Sequence, residues 1–145
     1  YEEDALTGDS FDQAYCVFDR DRYTTFDAAV QRIKDLSAAG KPLLAITSPP
    51  CFEVWLLLHF CYSDQPFHPI GRKSVGDQVV LALKSMDGFS KYGKGQKGIY
   101  AKLKDKLTDA FTNAERLREQ GKAMGSINPA TDVDELVKVI KALAP

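Results

Sequence analysis

Between Cys51 and Phe60 every residue is apolar except Glu53 and His59. A helical segment with no polar face belongs in an interior, so the rest of the chain has to be built around this block. Ser48-Pro49-Pro50 precedes it and breaks whatever comes before. Serine is a good helix N-cap, and proline is tolerated in a first turn, where its missing N–H has no partner to lose. A helix over Cys51 to Phe60 is therefore expected. With 145 residues the chain is long enough for one real core, and a single domain over 1–145 is expected.

Upstream, Ala14-Tyr15-Cys16-Val17-Phe18 is a short apolar run that stops abruptly at charges. It predicts a strand buried on both faces. Thr24 and Thr25 offer N-caps, with Asp27 in the first turn. Phe26, Ala29, Val30, Ile33 and Leu36 then recur at helical spacing up to Gly40. Pro42 to Thr47 reads as a second buried strand. Strand, helix and strand with short links predict a βαβ crossover joining parallel strands. Residues 13–60 thus form an expected α/β part.

Asp19-Arg20-Asp21 leaves the first strand directly. In a parallel sheet, ligands gather at the carboxyl ends of the strands. Two carboxylates at i and i+2 on such a segment can approach one hard cation. Mg²⁺ suits them, because it takes one or two protein carboxylates and keeps other positions for water and phosphate oxygens. Such an ion would neutralise charge on a transferred phosphoryl group. The competing reading is an Asp-rich turn that caps the next helix. Ser48 and Glu53 should end at the same edge and face the acidic pair. Glu53, as the single charge in an apolar block, needs a partner or a raised pKa if buried. The plainer reading makes it a first-turn glutamate facing water.

The remainder, residues 74–145, reads as helical. Residues 61–73 form a loop; Val75, Val79, Val80 and Leu83 mark a helix ending near Gly88. Residues 88–98 hold four glycines and three lysines, as a mobile loop would. Ile99 to Leu117 shows one long amphipathic pattern ended by Gly121, and Asn128-Pro129 or Thr131 opens a final helix with Val133, Leu136, Val137, Ile140 and Leu143 on one face. The expected class is α/β, a small parallel sheet followed by a helical C-terminal portion.

Lys91, Lys94, Lys97, Lys102, Lys104 and Lys106 face only one acid, Asp105, in that region. Interleaved with Tyr92 and Tyr100, they would grip a phosphate backbone with salt-dependent affinity. A solvated helix face and flexible loop explain them equally simply. No GxxxxGK[ST] is present. Cys51, Cys61, His59 and His68 match no usual zinc module, and Cys51 and His59 would stand about 80° apart around an ideal helix. His59 reads as a satisfied helix-end histidine, and no GxSxG supports covalent catalysis. A net charge of -1 excludes a globally basic coat. Three cysteines without a CxxC pair suit a reducing cytoplasm. No window reaches the ~18 apolar residues of a membrane span.

Across nearly its whole length the sequence resembles the RloB-like family, Toprim-related proteins of prokaryotic abortive-infection and phage-defence loci. Cys16 to Asp21 is similar to the family's strand plus DxD. Ser48 to Phe60 is similar to its most distinctive block, S-N-P-C-F-E-L-W-L-L-L-H-F, with Pro49 standing where asparagine is usual. Tyr92-Gly93-Lys94 resembles its Y-x-K element, and Asn128 to Val133 its N-P-x-T-x-V. The resemblance implies a Toprim-like fold and Mg²⁺-dependent phosphoryl transfer, with Asp19 and Asp21 as metal ligands and Glu53 in support. It also implies cleavage of nucleic acid, DNA or RNA, alongside an AAA-type ATPase encoded nearby. Lys94 would hold phosphate, with Lys91, Lys97 and Lys102 beside it.

Toprim sites add a glutamate from an earlier strand. Glu2 and Glu3 follow no apolar strand and sit too close to Ala14, so this chain is expected to lack that residue and to cleave weakly alone. Activity should return when upstream sequence is restored; robust cleavage by this chain, abolished by Asp19→Ala, would overturn that expectation. Two rivals stand beside it. One is a non-catalytic module docking on the ATPase. The other is plain nucleic-acid binding through residues 91–106, salt-sensitive and indifferent to Asp19→Asn.

Overall fold

The computed structural model describes residues 11–21 and 23–143. Strand β1 (Ala14–Phe18) is followed by α1 (Phe26–Ala38), β2 (Leu43–Thr47), α2 (Glu53–Leu57) and α3 (Val75–Lys84). Then come α4 (Ile99–Leu103), a 3₁₀ turn (Lys104–Lys106), α5 (Leu107–Met124) and α6 (Val133–Leu143). The fold is α/β, a two-stranded parallel sheet with a helical C-terminal portion. Val17 pairs with Ile46 and Phe18 with Thr47, so both strands end at the same edge.

The apolar block lies where its composition requires. Glu53, Val54, Trp55, Leu56, Leu57 and Leu58 are all buried. Around them stand Val79 and Leu83 of α3, Leu103 of α4, and Leu107, Ala110, Ala114 and Leu117 of α5. Ala110 and Ala114 are one turn apart and fully buried, and their small side chains let α5 approach the block closely. The side-chain amide of Asn113 donates to the Leu58 carbonyl at 2.8 Å, satisfying an acceptor that the short helix leaves open.

Several sequence expectations need correction. The helix in the apolar block spans only five residues, Glu53–Leu57, and continues as a turn. The strands are not buried on both faces: Val17 is 54% and Leu44 45% exposed. Among the described residues each strand has one neighbour, which leaves these side chains uncovered. Thr25 makes no side-chain cap, and Asp27 instead pairs with Arg20 at 3.3 Å. The expected helix from Ile99 is broken by the 3₁₀ turn. Gly121 sits inside α5, which ends at Gly125 with φ +64°. The reason for glycine at 121 is close approach: a Cβ there would meet the Ser126 carbonyl oxygen at 2.7 Å. Finally, the apolar face of α6 is buried at Val133, but Ile140 and Leu143 are 56% and 79% exposed.

The segment before α6 binds the carboxyl end of β2. Ala130 N–H donates to the Pro49 carbonyl and Asp132 N–H to that of Thr47, both at 2.8 Å. The Asp132 carboxylate accepts from the Thr47 hydroxyl at 2.8 Å. Thr131 and Ser48 share a buried hydroxyl–hydroxyl hydrogen bond of 2.6 Å. These bonds fix the edge from which the acidic residues project.

Candidate functional site

Asp19 and Asp21 leave β1 and are tied to the turn that leaves β2. The Asp21 N–H donates to the Pro50 carbonyl at 3.1 Å. The Asp19 carboxylate accepts from the Phe52 N–H, one residue before α2. Two sequence segments about thirty residues apart are thereby latched at one sheet edge. Asp21 has φ +39°, a left-handed conformation that aspartate tolerates better than most residues but that still costs of order 1 kcal/mol.

Glu53 is 3% exposed. Its Oε1 accepts a hydrogen bond from the Tyr92 hydroxyl at 3.1 Å. Its Oε2 has no hydrogen-bond partner, and Lys94 Nζ stands 3.7 Å away. The sequence demanded a partner for this carboxylate, and Tyr92 and Lys94 supply one from the same glycine loop.

The electrostatics follow. Burial pushes the Asp19 carboxyl above its ordinary range; the Phe52 N–H opposes this, Glu53 and Asp21 add to it, and Lys94 opposes it. Burial works against the charge on Lys94, but Glu53, Cys51, Asp19 and Asp21 together hold the ammonium above its usual range. Burial, reinforced by Glu53, drives the Cys51 thiol well up, so it is no thiolate nucleophile. Burial and the Glu53 charge likewise raise Tyr92, which stays protonated as a donor.

The structure thus brings Asp19, Asp21, Glu53 and Lys94 within electrostatic reach of one another. Lys91 and Lys97 are exposed on the glycine loop. Lys102 is partly committed to the protein, its Nζ 3.4 Å from the Gly88 carbonyl and over the Phe89 ring. Ser48 does not turn to the acidic pair, because its hydroxyl is taken by Thr131. Tyr92 is not a surface stacking platform: it is buried, and its ring lies beside Phe89. Glu2 and Glu3, weighed above as an upstream glutamate, lie outside the described residues.

Sequence reasoning missed two features. Tyr92 was set among the phosphate-gripping residues, although an aromatic flanked by glycines and one apolar step from the buried block was a signal for a donor to Glu53. Arg72 and Lys73 were left in a loop, yet they line a cavity of about 310 Å³ that Asp21 also lines. On its other side Asp21 shares a cavity of about 350 Å³ with Asp19, Phe18 and Tyr23. Cationic side chains therefore flank the acidic pair from two loops.

Among the described residues no group of three or more His, Cys, Asp or Glu forms a ready cation cage. The donor set still fits Mg²⁺ rather than a softer ion: hard carboxylate oxygens, mutually repelling, with Asp19 held above its ordinary pKa by burial and like charge. Tyr92→Phe removes the single hydrogen bond to a buried carboxylate. It is expected to cost about 1.5–3 kcal/mol in urea denaturation. An unchanged midpoint would mean that the Tyr92 hydroxyl does not hold Glu53.

No helix of the described residues is long and apolar enough to cross a membrane. Comparison with curated proteins and with solved structures gives no match. A family profile described as RloB-like protein matches residues 2–140, nearly the whole chain. The chain belongs to the RloB-like family.

Proposed function

We propose that this chain is a Toprim-like, Mg²⁺-dependent phosphoryl-transfer module, a nuclease, of a phage-defence system that works with an AAA-type ATPase. The observation that carries the reading is the convergence of Asp19, Asp21 and Glu53 around one Lys94 at the carboxyl edge of the sheet. Such a concentration of like charge is unfavourable unless it serves a cation. Asp19 and Asp21 would hold Mg²⁺, which supplies charge neutralisation at a transferred phosphoryl group. Glu53 anchors Lys94 through their 3.7 Å ion pair, and the Lys94 side chain is 63% exposed between two glycines. From there its ammonium reaches toward a phosphate oxygen, with Lys91, Lys97 and Lys102 on the same side.

A Mg²⁺ titration followed by ¹H–¹⁵N NMR tests the reading. Shifts should concentrate at Asp19, Asp21, Phe52 and Glu53 and vanish in Asp19→Asn. Absence of any shift there at millimolar Mg²⁺ would remove the metal site. One observation favours a second reading, an interaction module: Ile140 and Leu143 expose apolar surface on α6. In that case no Mg²⁺ shifts appear, and polar substitution at these two positions abolishes capture of the ATPase.

A further inference from the structure

Beside the acidic site, on the other side of Phe52 and Glu53, lies a cavity of about 350 Å³. That is within the ~300–1,000 Å³ usual for small-molecule sites. Its walls are largely aromatic and aliphatic, with Phe52, Trp55, Tyr100, Ile99 and Leu103 among them. Its polar groups are few, chiefly Glu53, His59, Tyr92 and Gln96. Most of these present acceptors. Glu53 is a carboxylate with one oxygen free of hydrogen bonds. The Tyr92 hydroxyl hydrogen is already given to Glu53. His59 engages the Trp55 carbonyl through Nδ1 at 2.9 Å, and burial lowers its pKa, which leaves Nε2 unprotonated and able to accept.

A flat apolar slot whose polar groups accept hydrogen bonds calls for a planar ligand that donates them. We infer that this cavity receives a nucleobase carrying an exocyclic amino group, with guanine the best match because its adjacent ring N–H and amino donors suit a carboxylate. Uracil, which offers no amino group, fits worst. The inference rests on the phosphoryl-transfer reading for its place in the molecule, since the cavity shares Phe52 and Glu53 with the acidic site. Its binding chemistry stands on its own. A base held here would set which nucleotide lies next to the phosphate at Asp19 and Asp21, as base-reading pockets do for extruded nucleotides.

Trp55 is the single tryptophan of the chain and lines the cavity, so its fluorescence reports occupancy directly. The full chain, in EDTA, is titrated with GMP, AMP, CMP and UMP, and separately with short single-stranded oligonucleotides of G or U. Saturable quenching by GMP, at least about fivefold tighter than by UMP, is expected. The Tyr100 ring is 66% exposed, so Tyr100→Ala leaves the fold intact while removing a stacking surface. That variant should weaken GMP by roughly tenfold. A second variant, Ile99→Phe, should fill the slot. Stronger response to the G oligonucleotide than to GMP marks a nucleic-acid strand as the source of the base; the reverse marks a free nucleotide. Either supports the pocket.

Absence of quenching, equal response to GMP and UMP, or quenching unchanged in both variants would overturn it. Asp19→Asn separates the two proposals. Quenching that persists in this variant supports the base pocket whatever the Mg²⁺ titration shows, and Mg²⁺ shifts without quenching retain the metal site and eliminate the pocket.

Discussion

Replacing Arg118 with methionine is expected to destabilise the protein by about 3 kcal/mol, because it strands a fully buried carboxylate. Asp134 is 0% exposed, and Arg118 meets it with two parallel hydrogen bonds of 2.9 Å. Burial by itself would push the Asp134 carboxyl up, but the Arg118 hydrogen bonds and charge, with help from Lys138, hold it below its usual range. Lys138 remains 3.2 Å from Asp134 in the variant, which keeps the loss at the lower end of the range for broken buried pairs. At this chain length the melting temperature should fall by roughly 6–12 °C. Asp134→Asn should cost less, about 1–2 kcal/mol, since Arg118 keeps Glu135 at 3.0 Å and the Thr131 carbonyl at 3.1 Å. Glu135→Gln, on the surface, should cost under about 0.5 kcal/mol. This ordering is the test, read by urea denaturation. An Arg118→Met loss no larger than that of Glu135→Gln would mean the pair contributes nothing net. The consequence extends to the site, because Arg118 holds Thr131, Thr131 holds Ser48, and Ser48 opens the turn into Glu53. NMR signals of Ser48 and Glu53 should broaden in the same variant.

That chain of contacts shows where sequence reading stops. The parallel βαβ unit was legible because apolar runs, a helical repeat and glycine punctuation are local signals, and each describes its own segment. The placement of Glu53 near Asp19 was legible too, since parallel strands of similar length must end at one edge. The Arg118–Asp134 pair was not: Asp134 has the look of a first-turn acid on α6, and nothing local says that it is buried against a helix sixteen residues back. The same holds for Tyr92, which reads as surface in a lysine-rich loop and is buried only because α3 and α4 bring that loop onto the apolar block. Long-range burial decided these roles, and the residue pattern records burial only when neighbours in the sequence share it. Gly121 failed for a related reason. Its requirement is a close approach by Ser126 after the chain turns back, whereas a glycine at the end of an apolar repeat reads first as a helix stop.

Asp19→Asn is expected to raise stability while lowering metal-dependent cleavage, and the opposite signs are what make it informative. Asp19 is partly buried among Glu53 and Asp21, and its folded-state pKa lies above the unfolded value, with burial as the leading cause. For a carboxyl shifted upward, the favourable contribution of the protonated form is complete below the unfolded pKa and is lost as pH rises through the folded one. At neutral pH the wild-type chain therefore carries the cost of an ionised Asp19 that asparagine does not. The variant should be more stable by about 0.5–1 kcal/mol, a rise of roughly 1–4 °C, with solvent at the half-open site limiting the gain. Asparagine retains an oxygen that accepts from the Phe52 N–H, so the latch between the two strand ends survives. Below pH 3.8 the advantage over wild type should disappear, because both side chains are then neutral. Millimolar Mg²⁺ should stabilise wild type and leave the variant unmoved, narrowing the gap from the other side. In a preparation that cleaves nucleic acid, the rate should fall by about a hundredfold or more, the scale of losing one preorganised electrostatic contact. A variant less stable than wild type at neutral pH would make Asp19 a structural residue of the turn. A variant more stable yet equally active would separate the acidic cluster from the chemistry and leave the repulsion at this edge to some other cation-binding purpose.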